Sequence, residues 1–290
     1  MPVNEYKLRK DLCEIGRNIW LRQFCAGNEG NHSVKVEDDR YLVTPTGISK
    51  GFLEPEDICV TNAEGELIET NPRGRKPSSE IKVHLAIYQH RPDIGAVIHS
   101  HPPHATAFAI AGVPLPEAVH PEAEVFLGKV RTAPFAMPST HDLPASIIPL
   151  IDEQTNTVLM GNHGSVSFDA DLTGAYYKLE ILDAYCRILL LTKQIGKINF
   201  LSQQDMKGLL EVKQRFGLND SRLSCADTGC IGAENEQFLA TFSARPMTAA
   251  CASDGGEVTT SSGGQGRIDE ASFEAAVQAI TDQIMAGTRN

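Results

Sequence analysis

The chain has 290 residues, of which 41% are hydrophobic and 22% charged, as is ordinary for a soluble globular protein. Its formal net charge of −11 argues against a nucleic-acid partner, because binding to a phosphate backbone needs a basic surface. No apolar run approaches the roughly 18 residues of a membrane span, and the first residues lack the apolar segment of a signal peptide. We therefore expect a cytoplasmic protein with no membrane partner.

The seven cysteines are an odd number and follow no regular spacing, which favours reduced thiols in a cytosol. Cys225 and Cys230 are close enough along the chain to suggest a disulfide or a metal site. With no second pair nearby, we predict two free thiols.

The N-terminal part of the chain predicts a helix followed by two hairpins. Residues 4–24 carry apolar side chains at helical spacing, namely Leu8, Leu12, Ile15 and Ile19. Residues 34–43 and 58–68 each contain two short apolar runs separated by turn residues, which is typical of hairpins.

Three loops in this region are rich in glycine, asparagine and hydroxyl side chains, at residues 27–33, 44–47 and 78–79. Each alone is explained as a turn, because these are the residues of which turns are made. Together they could form an anion pocket without a lysine.

The stretch from residue 76 to 103 carries the main chemical signal. A short β-branched run at residues 95–98 is bounded by prolines and predicts a strand. Side chains alternate along a strand, so His99 and His101 project from one face and could bind one metal ion. A helix predicted to begin near Ser78, Ser79 and Glu80 would place the Glu80 carboxylate in its first turn, close to both imidazoles if helix and strand pack antiparallel.

Beyond this stretch, helices are predicted at residues 104–111 and 144–152 and from about residue 170, with strands at 129–135 and 157–168. Within the last of these, His163 lies at a tight turn between glycines that allow close approach of the backbone. We predict that His163 is the third metal ligand.

Several short motifs resemble those of the class II aldolase and adducin head family, in its order and approximate spacing, over residues 4 to about 220. They are GNHS at 30–33, TPTG at 44–47, SSE at 78–80, RPD at 91–93, HSHP at 99–102 and NHG at 162–164. The resemblance is strongest to L-fuculose-phosphate-type aldolases. It implies an α/β fold over residues 1–222: a three-layer α/β/α domain with a mainly antiparallel central sheet.

The resemblance also implies functional residues and an assembly. His99, His101 and His163 would bind one Zn²⁺ per subunit, and Glu80 would be the catalytic acid or base. The substrate phosphate would be held by Asn31, Thr46, Gly47, Ser78 and Ser79. Active sites would lie between the subunits of a cyclic homotetramer.

The expected reaction is the cleavage of a 1-phosphorylated deoxy-ketose, such as L-fuculose or L-rhamnulose 1-phosphate, to dihydroxyacetone phosphate and lactaldehyde. Three protein ligands leave coordination positions open on zinc, whereas structural sites usually have four and favour cysteine. The family's tyrosine for the aldehyde side is replaced here by Pro121, so the second proton donor is open among His120, Glu122 and Glu124.

Two kinds of alternative remain open. A ribulose-5-phosphate 4-epimerase or a sugar-phosphate dehydratase would use the same scaffold and ligands. A non-catalytic, adducin-like assembly protein would need neither Glu80 nor the three histidines, so their presence speaks against it.

The C-terminal region predicts a Gly/Ser/Thr-rich linker over residues 223–267 and an amphipathic helix over 268–290. The apolar stripe of that helix consists of Phe273, Val277, Ile280 and Ile284. It resembles the encapsulation peptides that direct enzymes into bacterial microcompartments. Packing onto the enzyme's own tetramer is the alternative.

Overall fold

A computed structural model describes residues 4–232 and 234–241, and a seven-stranded sheet lies at its centre. The strand order is β3-β2-β1-β4-β7-β6-β5. All neighbouring strands pair antiparallel except β5 and β6, which are parallel. The strands are β1 (Asn31–Glu37), β2 (Arg40–Val43), β3 (Cys59–Thr61), β4 (Ala96–Ser100), β5 (Arg131–Ala133), β6 (Thr157–Met160) and β7 (Gly164–Asp169).

The α-helices are α1 (Glu5–Leu21), α2 (Ile81–His90), α3 (Pro103–Ala111), α4 (Pro121–Phe126), α5 (Asp142–Ile147), α6 (Leu172–Ile195), α7 (Gln203–Arg215) and α8 (Asn235–Thr241). Three of them begin at side-chain caps, where Asn4 accepts from the amide of Lys7, Asp171 from that of Gly174 and Ser202 from that of Asp205. Among the residues that the structure describes, no helix is both long and apolar enough to cross a membrane.

The alternation of side chains along β4 produces the three layers that the family resemblance implies. Val97 packs in the cluster that includes residues of α2 and α5, whereas Ala96 and Ile98 pack with residues of α1 and α6. All three side chains are fully buried, because β4 is a central strand with helices on both faces. The fold is therefore α/β/α with a mainly antiparallel sheet, as expected.

Smaller predictions differ from the structure in detail. The second hairpin is reduced to the strand β3 and a single bridge between Thr61 and Leu67. The helix predicted at residues 144–152 begins at Asp142 instead, and after Ile147 it tightens into a 3₁₀ turn over Ile148–Leu150.

The folded domain continues past residue 222, where the sequence placed the start of a linker. A 3₁₀ helix covers Ser221–Thr228, and α8 follows at Asn235–Thr241. Phe238 of α8 is fully buried in a cluster with Val130 and Leu189, so this segment has its own anchor in the core. The remainder of the predicted linker, residues 242–267, and the predicted helix at 268–290 lie outside the described residues.

The prediction of two free thiols at Cys225 and Cys230 was wrong, because the two cysteines form a disulfide. The 3₁₀ helix ends at Gly229, whose φ of 81° turns the chain back on itself. This turn brings the two Cα atoms to 5.8 Å, which is within the usual range for a disulfide. Linear spacing alone does not reveal such a turn.

Candidate active site

Three histidines from two neighbouring parts of the sheet converge on one point. His99 lies in β4, His101 directly follows that strand, and His163 lies in the turn between β6 and β7. Because β4 and β7 are paired, this turn comes next to the end of β4. The candidate ligand nitrogens of the three rings all lie within 4.8 Å of one another.

The turn at His163 depends on three neighbouring positions, one with a left-handed backbone and two with no room for a side chain. Asn162 has a φ of 55°, in the left-handed region. A Cβ at Gly161 would lie 2.7 Å from the carbonyl oxygen of Ala133. A Cβ at Gly164 would lie 2.6 Å from the Cδ2 of His101, so only glycine lets β7 begin this close to the ligand.

Neighbouring acceptors fix the orientation of two of the rings. His99 Nδ1 lies 2.9 Å from the carbonyl oxygen of Ser165, and His101 Nδ1 lies 2.8 Å from Glu29 Oε2. Because a carbonyl and a carboxylate only accept hydrogen bonds, both Nδ1 atoms carry the proton in the neutral rings. The two Nε2 atoms therefore present lone pairs, and they lie only 3.2 Å apart.

This arrangement fits a metal cation. Two lone pairs and a carboxylate directed at one point repel each other unless a positive charge lies between them. Outer hydrogen bonds from Nδ1 to a carbonyl or a carboxylate are also what metal-binding histidines usually make. His99, His101 and His163 would hold the ion, and Glu80 lies beside them.

Glu80 is the residue that precedes α2, at its N-cap, and not within the first turn as predicted. Its Oε2 is 3.2 Å from His99 Nε2, and its Oε1 is 3.7 Å from His163 Nε2. Asn31 Nδ2 donates to the same Oε2 at 3.2 Å. The antiparallel packing of helix and strand thus brings Glu80 to the histidines.

The electrostatic environment keeps Glu80 ionised. Burial alone would raise the pKa of its carboxyl group, but the neighbouring His99, with contributions from His163 and Asn31, lowers that pKa to about 2. Burial also lowers the pKa of His163 to about 4 and, together with the neighbouring His99, lowers the pKa of His101. His101 and His163 are therefore neutral at pH 7, which is the state that binds metal.

The residues expected to bind phosphate lie on two loops that are joined by backbone hydrogen bonds. Thr46 and Gly47 are exposed, and Gly47 has a φ of 74°. The Thr46 amide donates to the Lys76 carbonyl at 3.0 Å, and the Ser78 amide donates to the Thr44 carbonyl at 3.2 Å. These bonds bring the two loops side by side.

The three other expected phosphate ligands are placed differently from one another. Ser79 is exposed, and its hydroxyl lies 2.8 Å from that of Ser139. Ser78 is buried, and its Oγ accepts from the Glu80 amide at 3.4 Å. Asn31 is also buried, and its side-chain amide donates to Glu80. Asn31 therefore contacts the carboxylate of Glu80, and Ser78 contacts the backbone amide of the same residue.

The candidates for a second proton donor are not equivalent. Glu124 is buried, with one carboxylate oxygen 2.8 Å from Arg222 Nη1 and the other accepting from the Ala118 amide at 2.5 Å. Both oxygens are thus already engaged. Glu122 is exposed and lies 3.4 Å from the half-buried His120.

Sequence analysis missed two residues of this region. Glu29 orients His101, and Lys50 is buried beside the phosphate loops. Only their positions in the sequence could have indicated a role in the site. Glu29 lies inside the glycine- and asparagine-rich loop, and Lys50 lies three residues after Gly47.

Comparison with known proteins agrees with this geometry. Residues 10–190 match the family model of the class II aldolase and adducin N-terminal domain. An L-fuculose phosphate aldolase of Methanococcus maripaludis is 33% identical over 64% of this chain and 96% of its own length. A 5-deoxy-D-ribulose 1-phosphate aldolase of Bacillus thuringiensis is 31% identical over 73% of this chain and 97% of its own length. A solved L-fuculose 1-phosphate aldolase superposes with a TM-score of 0.65 at 30% identity, covering 73% of this chain and 96% of that one.

Proposed function

Because the chain belongs to the class II aldolase and adducin N-terminal domain family and is a metal-dependent carbon–carbon lyase, we propose a specific metal and substrate for it. The metal is zinc, bound by His99, His101 and His163. The reaction is retro-aldol cleavage of a 1-phosphorylated deoxy-ketose, such as L-fuculose or L-rhamnulose 1-phosphate. Its products are dihydroxyacetone phosphate and lactaldehyde.

One observation carries this proposal: three ring nitrogens within 4.8 Å of one another, with an ionised carboxylate at hydrogen-bonding distance from one of them. Three protein nitrogens are a usual ligand set of catalytic zinc, and they leave room for a substrate. A bound divalent cation supplies a Lewis acid that offsets negative charge developing on a carbonyl oxygen, for several kcal/mol of barrier.

Glu80 is the residue proposed to move the proton. In the condensation direction, its ionised carboxylate removes a proton from the carbon next to the ketone carbonyl, and in cleavage it returns that proton. Asn31 holds the carboxylate from one side through its 3.2 Å hydrogen bond, which limits the directions in which Glu80 can point. The partial burial of Glu80, whose side chain is 16% exposed, keeps bulk water from competing for the proton.

The substrate phosphate is assigned to Asn31, Thr46, Gly47, Ser78 and Ser79. Backbone amides and hydroxyl groups of small residues bind phosphate without needing direct contact from a lysine. The support is that the loops carrying these residues lie side by side and that Ser78 and Asn31 both hydrogen-bond to Glu80. A phosphate held there would fix the carbonyl end of the sugar near the histidines.

The named relatives narrow the substrate to a class. L-Fuculose 1-phosphate and 5-deoxy-D-ribulose 1-phosphate are both ketose 1-phosphates that end in a methyl group. They differ in chain length and stereochemistry at the aldehyde end, which is the end for which this chain has Pro121 in place of the expected tyrosine. We therefore include both sugars in the test.

Assembly and location complete the proposal. We infer a homotetramer, with residues 268–290 as an encapsulation peptide that binds a microcompartment shell or cargo partner. The proposed reaction releases a reactive aldehyde, and enclosure in a compartment would keep that aldehyde away from the rest of the cell. Deleting residues 268–290 should leave turnover intact and abolish co-purification with the compartment; a collapse of turnover would mean that the segment belongs to the enzyme body.

The test of the function is an activity screen coupled to detection of dihydroxyacetone phosphate. Fuculose, rhamnulose and 5-deoxyribulose 1-phosphates and ribulose 5-phosphate are each assayed before chelation, after chelation, and after adding back zinc, manganese or cobalt. We expect zinc-restored cleavage of one ketose 1-phosphate. Formation of an isomeric pentose phosphate from ribulose 5-phosphate, without cleavage, would indicate an epimerase. If no sugar is turned over in a chelator-sensitive way, the adducin-like assembly protein is favoured.

A further inference from the structure

Lys50 is a fully buried lysine with no role in the reaction described above. Its side chain is 1% exposed, and it begins the 3₁₀ turn Lys50–Phe52. Its ammonium group donates to the carbonyl oxygens of Asn28 at 3.0 Å and Ile48 at 2.9 Å. Burial of a lysine without a carboxylate partner is costly and calls for an explanation.

The two carbonyls belong to the two loops that the proposed function uses. Asn28 precedes Glu29, which orients His101, and lies three residues before Asn31, which contacts Glu80. Ile48 directly follows Thr46 and Gly47 of the phosphate site. One ammonium group thus joins the loop that borders the metal site to the loop assigned to the phosphate.

The charge of Lys50 is not neutralised locally. Within residues 4–232 and 234–241, its hydrogen-bond acceptors are the two uncharged carbonyls. Burial lowers the pKa of the ammonium group to about 8, because nearby groups such as Glu29 and Glu80 offset the loss of solvent only in part. At pH 7 the group is still mostly protonated, so a positive charge lies 2.9 Å from the carbonyl oxygen of Ile48, the residue that follows Thr46 and Gly47.

We propose that Lys50 is a positioning residue for phosphate recognition: it ties the loops of residues 27–31 and 44–48 together and adds a positive charge to the hydroxyl-lined phosphate site. This inference rests on the proposed function. A bound phosphate would give the buried ammonium group the counter-charge that it does not have in the protein alone. The charge of Lys50 should not strengthen the binding of substrates that lack a phosphate.

A second buried lysine offers a matched comparison. Lys213 is 6% exposed and also donates to a carbonyl, that of Glu124 at 3.4 Å, but it is paired with the Asp220 carboxylate at 2.8 Å. Its charge is therefore neutralised within the protein, and it contacts none of the residues assigned to the metal or the phosphate. Removal of Lys213 should affect stability alone.

The experiment compares Lys50→Met, Lys50→Gln and Lys213→Met. For each, kcat/KM is measured with a ketose 1-phosphate and with the same ketose lacking phosphate, together with the inhibition constant of inorganic phosphate and the melting temperature. Lys50→Gln retains a hydrogen-bond donor without the charge, so it tests the charge even where Lys50→Met fails to fold.

We expect both Lys50 variants to lower kcat/KM for the phosphorylated sugar by about 10- to 100-fold, the value of one or two charge-assisted hydrogen bonds. The inhibition constant of phosphate should rise by a similar factor, while kcat/KM for the free sugar changes less than about threefold. Lys213→Met should lower the melting temperature without changing the preference for phosphate.

Equal losses with the two sugars in Lys50→Gln would overturn the proposal and leave Lys50 a structural residue. Should the wild-type enzyme cleave no ketose phosphate, the proposed function fails first. Binding of inorganic phosphate by calorimetry then decides on Lys50 separately: weaker binding to Lys50→Gln than to wild type supports the positioning role, and equal binding refutes it.

Discussion

Two buried clusters of charged and polar side chains lie in this domain, and they differ in how completely their groups are paired. One surrounds Arg222, and the other is the cluster of three histidines with Glu80. Both are largely removed from solvent, so a charged or polar group in them that lacks a hydrogen-bond or ionic partner lowers the stability of the fold. In the first cluster every charge has such a partner, and in the second the lone pairs of His99 and His101 and the carboxylate of Glu80 face one another.

The Arg222 cluster is a closed set of opposite charges. Arg222 Nη1 lies 2.7 Å from Glu117 and 2.8 Å from Glu124, its Nη2 lies 2.8 Å from Asp220, and Lys213 lies 2.8 Å from the same aspartate. These contacts join α4, α7 and the 3₁₀ helix that follows. A ligand would find no unpaired charge there, so we assign this cluster to stability.

The histidine cluster, in contrast, is held open by its surroundings. Ser165 and Glu29 accept hydrogen bonds from the proton-bearing nitrogens of His99 and His101. Gly164 has no side chain, which leaves room for the ring of His101. The protein therefore maintains an arrangement that is unfavourable until a cation binds. Both clusters are buried and contain charged groups, so neither property distinguishes them. The candidate site differs in that its ring nitrogens and carboxylate are not fully paired with groups of opposite charge.

The sharpest way to test this distinction is Glu80→Gln. The amide preserves the size of the side chain but cannot accept a proton, so kcat should fall by about 10²- to 10⁴-fold, the usual contribution of a positioned acid or base. Turnover is measured together with the zinc content per subunit, which should stay near that of wild type because Glu80 is not among the three proposed ligands. A variant with full zinc and more than a tenth of the wild-type kcat would contradict the role of Glu80.

The other cluster is tested by Arg222→Met. Removal of the guanidinium leaves the carboxylates of Glu117 and Glu124 buried without their cation, which should lower the free energy of unfolding by about 3–5 kcal/mol. Chemical denaturation measures the loss, and activity per folded molecule should not change. Arg187→Met, at an exposed position of α6, is the control and should shift the stability by no more than about 0.5 kcal/mol.

A loss of turnover in folded Arg222→Met would mean that the two clusters are not independent. The Glu124 carboxylate would then be the group to examine, since it was one of the candidates for the second proton donor. Glu124→Gln, assayed with the same sugars, would show whether the effect is chemical.

The parts of the site that sequence patterns predicted are those set by local geometry. Alternation along a strand places His99 and His101 on one face, and the packing of the helix that follows Glu80 against that strand brings the carboxylate to them. His163 was found because glycines flank it in a strand–turn–strand pattern. These inferences need only periodicity and short connections.

The parts that were missed depend on contacts between distant segments. Glu29 reaches His101 across 72 positions of the chain, and Lys50 reaches back to Asn28, and neither residue type at these positions has a pattern of its own. The Cys225–Cys230 disulfide depends on the turn at Gly229. Burial of Phe238 extends the domain beyond the predicted boundary because one aromatic side chain in a short helix carries no periodic signal.

A buried histidine outside both clusters, His84, also contributes to stability. Its contribution depends on pH, which allows it to be measured separately from those of the two clusters. His84 is fully buried in α2, its Nδ1 lies 2.7 Å from Ser33 Oγ, and its Nε2 has no partner among the described residues. Burial lowers its pKa to about 3. The unfolded chain takes up this proton near pH 6.5, so the contribution is complete above that pH and is lost as the pH falls toward 3.

We therefore expect the free energy of unfolding of the metal-free protein to drop between pH 7 and pH 5, with His84 contributing about 2 kcal/mol of that drop. Denaturation at both pH values in the presence of chelator measures it, and His84→Gln should reduce the drop by this amount. His141→Gln, at an exposed position, should not. If His84→Gln keeps the full pH dependence, the proton is taken up elsewhere, and His32, which is also buried and whose pKa burial lowers to about 3, becomes the group to examine.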